Sequence, residues 1–274
     1  MLVSANAVPA RALGRTRRWG ALAAEYSSFV AIGDSFTEGV GDPDPDGDRY
    51  RGWADLFARR AARHWPGFAY ANLAVRGRLF DRIVDEQVVP AIKQSPDLVS
   101  FAAGGNDALR PGFNPTQLST RAHEVVRLLK ASGAEVILFT CADITPHIPG
   151  IAVLRKRFIA TNDAYKRVAK RHGAVLVDLW DDRAFDDPRL WSEDRLHLNT
   201  LGHQRVAYDV CRALDIEPDP AWVRPLPDLP RPRREMNGVQ WAGRHLAPWV
   251  KRRLTGKSSG DTVDPKRPDL TEVQ

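Results

Sequence analysis

The chain has 274 residues, a hydrophobic content of 43% and a net charge of +6. This length accommodates one α/β domain of about 190 residues together with terminal arms. The positive charge lies in the arms: residues 1–24 hold four arginines and no acid, residues 224–274 hold 11 basic and 6 acidic residues, and residues 25–223 are left with −3. Because a nucleic-acid-binding protein concentrates its positive charge on the folded surface that reads the nucleic acid, this distribution argues against that class.

The sequence also argues against a membrane-inserted protein. No apolar run reaches the roughly 18 residues that a membrane helix needs. Residues 19–24 are apolar and follow two arginines, but Glu25 ends this run just before the first predicted strand. A signal peptide needs a longer apolar region, so we expect a cytoplasmic protein, without excluding secretion by an N-terminal signal. Cys141 and Cys211 stand far apart in apolar surroundings and are expected to be reduced, buried thiols. The sequence does not indicate an oligomeric state.

Short apolar runs alternate with helical periodicities along residues 26–217, and we interpret this segment as the main folded domain. Residues 28–32 form a short apolar run stopped by Gly33, and residues 98–103 are almost continuously apolar, both typical of buried strands. In chain order the pattern predicts strand 28–32, helix 53–64, strand 68–74, helix 79–92, strand 98–103, helix 115–131, strand 135–140, helix 152–171, strand 174–179 and helix 201–214. Five strands in this alternation predict an α/β fold in which helices cover both faces of a five-stranded parallel sheet.

The segments outside this domain differ from it in composition. Residues 1–25 are predicted to form a flexible basic arm. Residues 218–254 are predicted to form a proline-rich linker and a helix at 235–254, whose Trp241 and Trp249 are expected to dock on the domain as a structural brace. The alternative is a basic amphipathic membrane anchor. Residues 255–274, rich in Ser, Gly, Lys, Asp and Pro, are predicted to be disordered.

Two motifs supply a candidate nucleophile and a candidate base. Ser35 directly follows the first predicted strand, and ligands of open parallel sheets bind beyond the carboxyl ends of the strands. A serine hydroxyl needs an adjacent base. His197 is the candidate base, and Asp194, three residues earlier, can hold one imidazole nitrogen while the other faces Ser35. Taken singly, an N-cap serine and a solvated histidine would explain these residues. His203, the nearest competitor of His197, is predicted to lie inside the last helix.

Two further motifs supply hydrogen-bond donors. Attack on an ester carbonyl creates an oxyanion, and each donor aimed at it lowers the barrier by about 3 kcal/mol. The Asn106 side chain follows the third strand, Gly77 can offer a backbone N–H where a side chain would crowd the substrate, and the Ser35 N–H is a third donor. Taken singly, a turn glycine and a loop asparagine would explain Gly77 and Asn106. Asp34 and Asp107 are expected to bind loop backbone rather than to react.

The ordered set Gly33-Asp34-Ser35, Gly77, Gly104-x-Asn106-Asp107 and Asp194-x-x-His197 resembles the motifs of the SGNH hydrolase (GDSL esterase/lipase) superfamily, over roughly residues 26–215. The resemblance implies a three-layer, flavodoxin-like α/β/α fold and hydrolysis of small-molecule esters without a metal or cofactor. It implies a catalytic triad of Ser35, His197 and Asp194, and an oxyanion hole formed by Ser35, Gly77 and Asn106. Phe36 stands where the lipase-type motif usually has leucine, which weakens the inference of a lipid substrate.

A serine esterase that forms an acyl-enzyme intermediate is therefore the preferred interpretation. The first alternative is a metallophosphoesterase, because Gly33-Asp34 and Gly105-Asn106-Asp107 are similar to its metal-ligand motifs. Against it, no histidine directly follows Asn106 and no paired histidines come late in the chain. The second alternative is a catalytically idle binding module on the same fold.

The acidic loop at residues 42–48 resembles the start of a calcium loop. An EF-hand needs a carboxylate at its twelfth position, where this chain has Trp53. We therefore expect a solvated loop near the entrance of the site.

Overall fold

The computed structural model describes residues 25–223, 238–247 and 258–274. Five strands run parallel, in the order β5-β4-β3-β1-β2. Their bounds are β1 Ser28–Gly33, β2 Ala69–Asn72, β3 Leu98–Ala102, β4 Glu135–Phe139 and β5 Val175–Val177. In this flavodoxin-like order, strands are added on one side of β1 with β2 and on its other side from β3 onward. Ligands bind beyond the carboxyl ends of the strands at such a switch in strand order.

Helices connect these strands much as the periodicity predicts. Their bounds are α1 Ser35–Glu38, α2 Gly52–His64, α3 Phe80–Ile83, α4 Val89–Lys93, α5 Gly105–Ala108, α6 Pro115–Ala131, α7 Arg155–His172 and α8 Thr200–Ala213. A π-helical turn at Val84–Val88 joins α3 to α4. Pro90 follows that turn, and a proline inside a helix removes a backbone donor and disturbs the hydrogen-bond ladder.

Alternate residues of β1 contribute to two separate cores. Phe29 and Ala31 pack with residues of α2 and α8, whereas Val30 and Ile32 pack with residues of α3, α6 and α7. All four side chains are fully buried. Since successive side chains of a strand point to opposite faces, the sheet is the middle layer of three. The predicted three-layer α/β fold is confirmed.

A sixth strand corrects two predictions. Strand β6, Arg267–Glu272, pairs antiparallel with β2, so the sheet formed by the described residues has six strands in the order β5-β4-β3-β1-β2-β6. The five predicted strands are confirmed as the parallel part of the sheet, and the predicted count is one strand short. The prediction of a disordered tail at 255–274 is wrong for residues 258–274.

The ordering of this tail depends on its partners rather than on its own composition. Just before β6, Lys266 Nζ donates to the carbonyl oxygens of Glu38 at 2.7 Å and Tyr50 at 3.0 Å, and it also pairs with the Asp55 carboxylate. Backbone hydrogen bonds between β6 and β2 also hold the tail on the domain. A compositional rule for disorder measures hydrophobicity and does not register such contacts.

Part of the predicted helix at 235–254 lies in the described chain. Helix α9, Gly238–Trp241, continues as a π-helical segment, Ala242–Leu246. Trp241 is 3% exposed and packs with the core on the α2 and α8 side. Trp249, the basic residues 251–253, residues 224–237 and residues 1–24 of the basic arm lie outside the described residues. Within the described segments, no helix combines the length and apolar character required to cross a bilayer.

Candidate active site

The candidate nucleophile begins α1 at the carboxyl end of β1. Asp34 caps this helix, its carboxylate accepting a hydrogen bond from Phe36 N at 3.1 Å. On the preceding residue, Gly33 N donates to Gln87 Oε1 at 2.7 Å, and Gln87 Nε2 donates to Gly33 O at 2.9 Å. A Cβ at position 33 would lie 2.8 Å from Ala102 O, so glycine is required there. The backbone that carries Ser35 is thus fixed on both sides of the serine.

The candidate base lies on the loop that precedes α8. His197 Nε2 lies 3.0 Å from Ser35 Oγ, and His197 Nδ1 lies 2.6 Å from Asp194 Oδ2. The other Asp194 oxygen accepts hydrogen bonds from the backbone N–H groups of Leu196 and His197, both at 3.0 Å. The structure therefore brings together the three side chains that the sequence singled out as nucleophile, base and orienting acid.

The charge on Asp194 sets the state of the imidazole. Burial acts to raise the pKa of Asp194, but the hydrogen bonds and charge from His197, together with the Leu196 N–H, outweigh it and hold the pKa at about 2. An ionised carboxylate can only accept hydrogen bonds, so Nδ1 carries the proton. Nε2 is then left to accept the Ser35 hydroxyl proton.

Of the three candidate oxyanion donors, two lie at the cavity beside His197 and one does not. Asn106 Nδ2 donates to Asp34 Oδ2 at 2.9 Å and to Arg78 O at 3.1 Å. Ser35 and Asn106 line one cavity together with His197, and Gly77 is not part of its lining. Gly77 has φ of 74°, and the Ser258 hydroxyl fills the space that a Cβ there would need. The structure thus brings two of the three candidates to the cavity.

The loop that carries Gly77 is tied to the helix that carries Ser35. Glu38 in α1 is buried, and its Oε2 accepts hydrogen bonds from Arg76 N at 2.6 Å and from Arg76 Nε at 3.1 Å.

Asp107 accepts a hydrogen bond from Phe80 N at 3.0 Å. Asp107 and Asp34 therefore both bind backbone N–H groups, but these belong to the first turns of α3 and α1 rather than to the loops that the sequence predicted.

Asp34 has a second role that the sequence did not suggest. Burial raises its pKa to about 6, against the lowering effects of the Phe36 N–H, the His197 charge and the Asn106 amide. Only the ionised carboxylate can accept from both Phe36 N and Asn106 Nδ2 without offering a competing proton. Asp34 thus holds both the start of α1 and the side-chain amide of Asn106.

The cavity beside Ser35 is apolar, with a volume of about 140 Å³. Most of its wall is aromatic or aliphatic, including Phe36, Leu109, Phe139, Ile144, Phe158 and Trp191. Cys141 adds a neutral thiol, since burial raises its pKa to about 12. An apolar cavity of roughly 150 Å³ can hold a group of the size of a benzene ring.

His203, the competing histidine, is engaged on both sides of its ring. Its Nδ1 accepts a hydrogen bond from Trp53 N at 3.2 Å, and its Nε2 donates to Val40 O at 3.2 Å. Burial lowers its pKa to about 4, so the ring is neutral. His203 lies inside α8, as expected, and fixes backbone of neighbouring segments.

The start of the acidic loop at 42–48 is more buried than we expected. Asp42 is fully buried, and its carboxylate binds Arg51 Nε and Nη2, each at 3.0 Å. It also accepts from Gly52 N at 3.0 Å and from Thr200 Oγ1 at 2.7 Å. Asp42 thus ties this loop to the start of α8, while the residues that follow it up to Asp48 are largely exposed.

Sequence reasoning missed two residues that support the site. Gln87 falls on the apolar side of the predicted helix 79–92, and a polar residue in an apolar stripe is a usable sign of a buried hydrogen-bond partner. Glu38 carries no such signal, because its partner Arg76 lies far away in sequence and the pairing depends on the sheet order.

The chain is similar to a known protein family and to curated proteins. Residues 31–205 match the GDSL-like Lipase/Acylhydrolase family. The GDSL lipase Rv0518 of Mycobacterium tuberculosis is 26% identical over 220 residues, covering 74% of this chain and 89% of that protein. An arylesterase of Vibrio mimicus is 22% identical over 187 residues, covering 68% of this chain and 87% of that protein.

The chain is also similar to a solved structure of a hydrolase. LAE5, an alpha/beta hydrolase enzyme from the metagenome of Lake Arreo in Spain, is 25% identical with a TM-score of 0.58. The match covers 69% of this chain and 95% of LAE5. Residues Ser35, Gly77, Asn106, Asp194 and His197 all lie within the range that the family match covers.

Proposed function

Because the chain belongs to the GDSL-like Lipase/Acylhydrolase family, we propose that it is a carboxylic-ester hydrolase that acts through an acyl-enzyme on Ser35. One observation carries the proposal: His197 Nε2 lies 3.0 Å from Ser35 Oγ while His197 Nδ1 is held by Asp194. A serine with a base at hydrogen-bond distance, and a base oriented by a third group, is the arrangement that activates a hydroxyl nucleophile.

The reaction runs in two halves on the same residues. Ser35 Oγ attacks the acyl carbonyl carbon as His197 takes the hydroxyl proton, and His197 then gives that proton to the departing alcohol oxygen. In the second half His197 deprotonates a water molecule, which attacks the acyl carbon. The bond from that carbon to Ser35 Oγ then breaks as His197 returns the proton to Oγ, which releases the acid and restores the enzyme. Asp194 stabilises the imidazolium that forms in each half.

The oxyanion of each tetrahedral intermediate needs hydrogen-bond donors. We assign the Ser35 N–H and the Asn106 amide to this role, with Asn106 exchanging its bond to Arg78 O for one to the oxyanion. The N–H of Gly77 is the third donor suggested by the motif order. No metal or cofactor takes part in this scheme.

The apolar cavity beside Ser35 suggests the class of ester. Its volume of about 140 Å³ suits an uncharged acyl or aryl group of about six carbons. Each methylene that fills the cavity adds about 0.8 kcal/mol of burial, close to a fourfold gain in kcat/KM. We therefore expect kcat/KM to rise from acetyl to hexanoyl esters and to fall for chains that exceed the cavity.

The test is a series of p-nitrophenyl esters from acetate to dodecanoate, assayed with and without EDTA, with bis-p-nitrophenyl phosphate as the control substrate. We expect ester turnover that survives EDTA, no phosphodiester turnover, and one fluorophosphonate label per chain on Ser35. Loss of activity in EDTA, or turnover of the phosphodiester, would favour a metallophosphoesterase. A folded protein that neither turns over esters nor takes the label would be a binding module.

A further inference from the structure

We propose that Trp241 is a positioning residue for the loop that carries the catalytic base, so that residues 238–247 complete the active site from outside the family-matched range of 31–205. The proposal rests on the proposed function, in that it takes His197 as the base. It assigns to this segment a catalytic purpose in addition to its packing on the domain.

The first contact is a hydrogen bond to the backbone just before Asp194. Trp241 Nε1 donates to Glu193 O at 2.8 Å. Trp241 is 3% exposed, so the donor side of this bond is buried in the protein. A buried indole N–H that finds a carbonyl fixes the position of that carbonyl, and here the carbonyl belongs to the residue next to the orienting acid.

The second contact lies on the other side of Asp194. Arg195 has φ of 60°, a left-handed conformation that side chains other than glycine rarely adopt. Its guanidinium carbon lies 4.6 Å from the centroid of the Trp241 ring, in a cation–π contact. Unfavourable backbone conformations persist only where their surroundings hold them, and Trp241 is part of what holds this one.

The hydrogen bonds within the loop fix its shape but not its position on the domain. Ser192 N donates to His197 O at 2.8 Å, and Arg195 N donates to Ser192 O at 2.9 Å. Trp241 instead connects the loop to a separate segment, through contacts on both sides of Asp194. The 3.0 Å distance from His197 to Ser35 depends on where the loop lies, and misplacement by 1 Å can cost about 100-fold in rate.

Other contacts between the two segments are weak by comparison. Arg244 Nη1 and His245 Nε2 lie 3.8 and 3.9 Å from Glu193 Oε1, and the Arg244 and Glu193 side chains are more than half exposed. Exposed pairs at such distances contribute little. Arg244→Ala is therefore a suitable control within the same segment.

The experiment compares Trp241→Ala and Trp241→Phe with Arg244→Ala and with Trp65→Phe. Trp65 is also buried, at 8% exposed, but its ring packs on Tyr26 and Phe68. We expect Trp241→Ala to lower kcat by about 10- to 100-fold with KM within about threefold, and to slow fluorophosphonate labelling of Ser35 equally. Trp241→Phe, which keeps an aromatic face for Arg195, should recover part of the loss. Trp65→Phe should lower Tm and leave kcat within about twofold of wild type.

Amide hydrogen exchange gives a readout that does not need the proposed activity. Exchange at residues 192–197 should be faster in both Trp241 variants than in wild type and unchanged in Arg244→Ala. The proposal is overturned if folded Trp241→Phe or Trp241→Ala keeps wild-type kcat and exchange, or if Trp65→Phe loses as much kcat. An inactive, unlabelled wild type in which Trp241 variants still loosen residues 192–197 would refute the proposed function and leave the loop contact standing.

Discussion

Ser35 begins α1 just beyond the carboxyl end of β1, the central strand of the sheet, whereas His197 lies on a loop that no strand leads into directly. The serine backbone is fixed by neighbours that belong to the core of the domain, such as Gln87 and the Asp34 cap. The histidine loop is anchored at its two ends by Trp191 and Leu198, which are buried in the core, and between them it is held by its own hydrogen bonds and by Trp241 from a distant segment. The position of the nucleophile Ser35 thus depends on the sheet and the residues packed against it. The position of the base His197 depends in addition on a contact from a segment that lies far away in sequence.

The largest expected effect tests the nucleophile side. Ser35→Ala should lower kcat by about 10⁴-fold or more, because it removes the attacking oxygen. The Tm should change little, since the contacts that fix this backbone do not use the serine hydroxyl. Ester turnover within tenfold of wild type would rule out the serine mechanism.

His197→Ala and Asp194→Asn test the base side. We expect His197→Ala to be nearly as damaging as Ser35→Ala, and Asp194→Asn to cost about 10²- to 10⁴-fold, because an amide facing Nδ1 favours the wrong tautomer. Unlike Ser35→Ala, Asp194→Asn should also speed hydrogen exchange at Leu196 and His197, whose N–H groups bind Asp194. Full activity of Asp194→Asn with an essential His197 would reduce the triad to a dyad.

Asn106→Ala tests whether the amide beside Ser35 acts as an oxyanion donor. It should lower kcat by about 10²- to 10³-fold with a smaller change in KM, the signature of a lost oxyanion donor. Kinetics with the preferred ester distinguish this from a binding role. A large rise in KM with unchanged kcat would make Asn106 a substrate-binding residue instead.

The smallest expected effect concerns stability and pH. The pKa of Asp34 is raised to about 6 by burial, so the folded state binds its proton more tightly than the unfolded state does. The stabilisation from this group is complete below the ordinary carboxyl pKa and is lost as the pH rises through about 6. Relative to Asp34→Asn, wild type should therefore lose Tm between pH 4 and pH 7.

Taking the difference in Tm between the two proteins at each pH cancels the contributions of carboxyl groups that lie far from Asp34. A difference that stays constant from pH 4 to pH 7 would mean that Asp34 has an ordinary pKa. A wild type that gains Tm relative to Asp34→Asn over this range would mean that its pKa is lowered.

The same contrast explains what the sequence could and could not predict. Ser35 and Asn106 were found because the carboxyl ends of parallel strands meet at one edge of a sheet, and strand ends can be read from local patterns. Asp194 and His197 were found from their spacing. Strand β6 and the contact from Trp241 to Glu193 were not predicted, since each depends on where a distant segment returns to the domain. The contact between Asp34 and Asn106 could not be predicted either, because it joins residues that are far apart in sequence.

Strand β6 also has a consequence for how the chain is made. Without it, β2 would present the unpaired backbone groups of an edge strand, the kind of surface on which chains aggregate. In the finished sheet the edge belongs to β6, where Pro268 lacks a backbone N–H and Arg267, Asp269 and Glu272 add charge, features that discourage pairing with another chain. During synthesis β2 must wait for Arg267 to leave the ribosome before it is covered. A nascent chain of this protein therefore stays exposed to intermolecular strand pairing at β2 until residues 267–272 have emerged and paired with it.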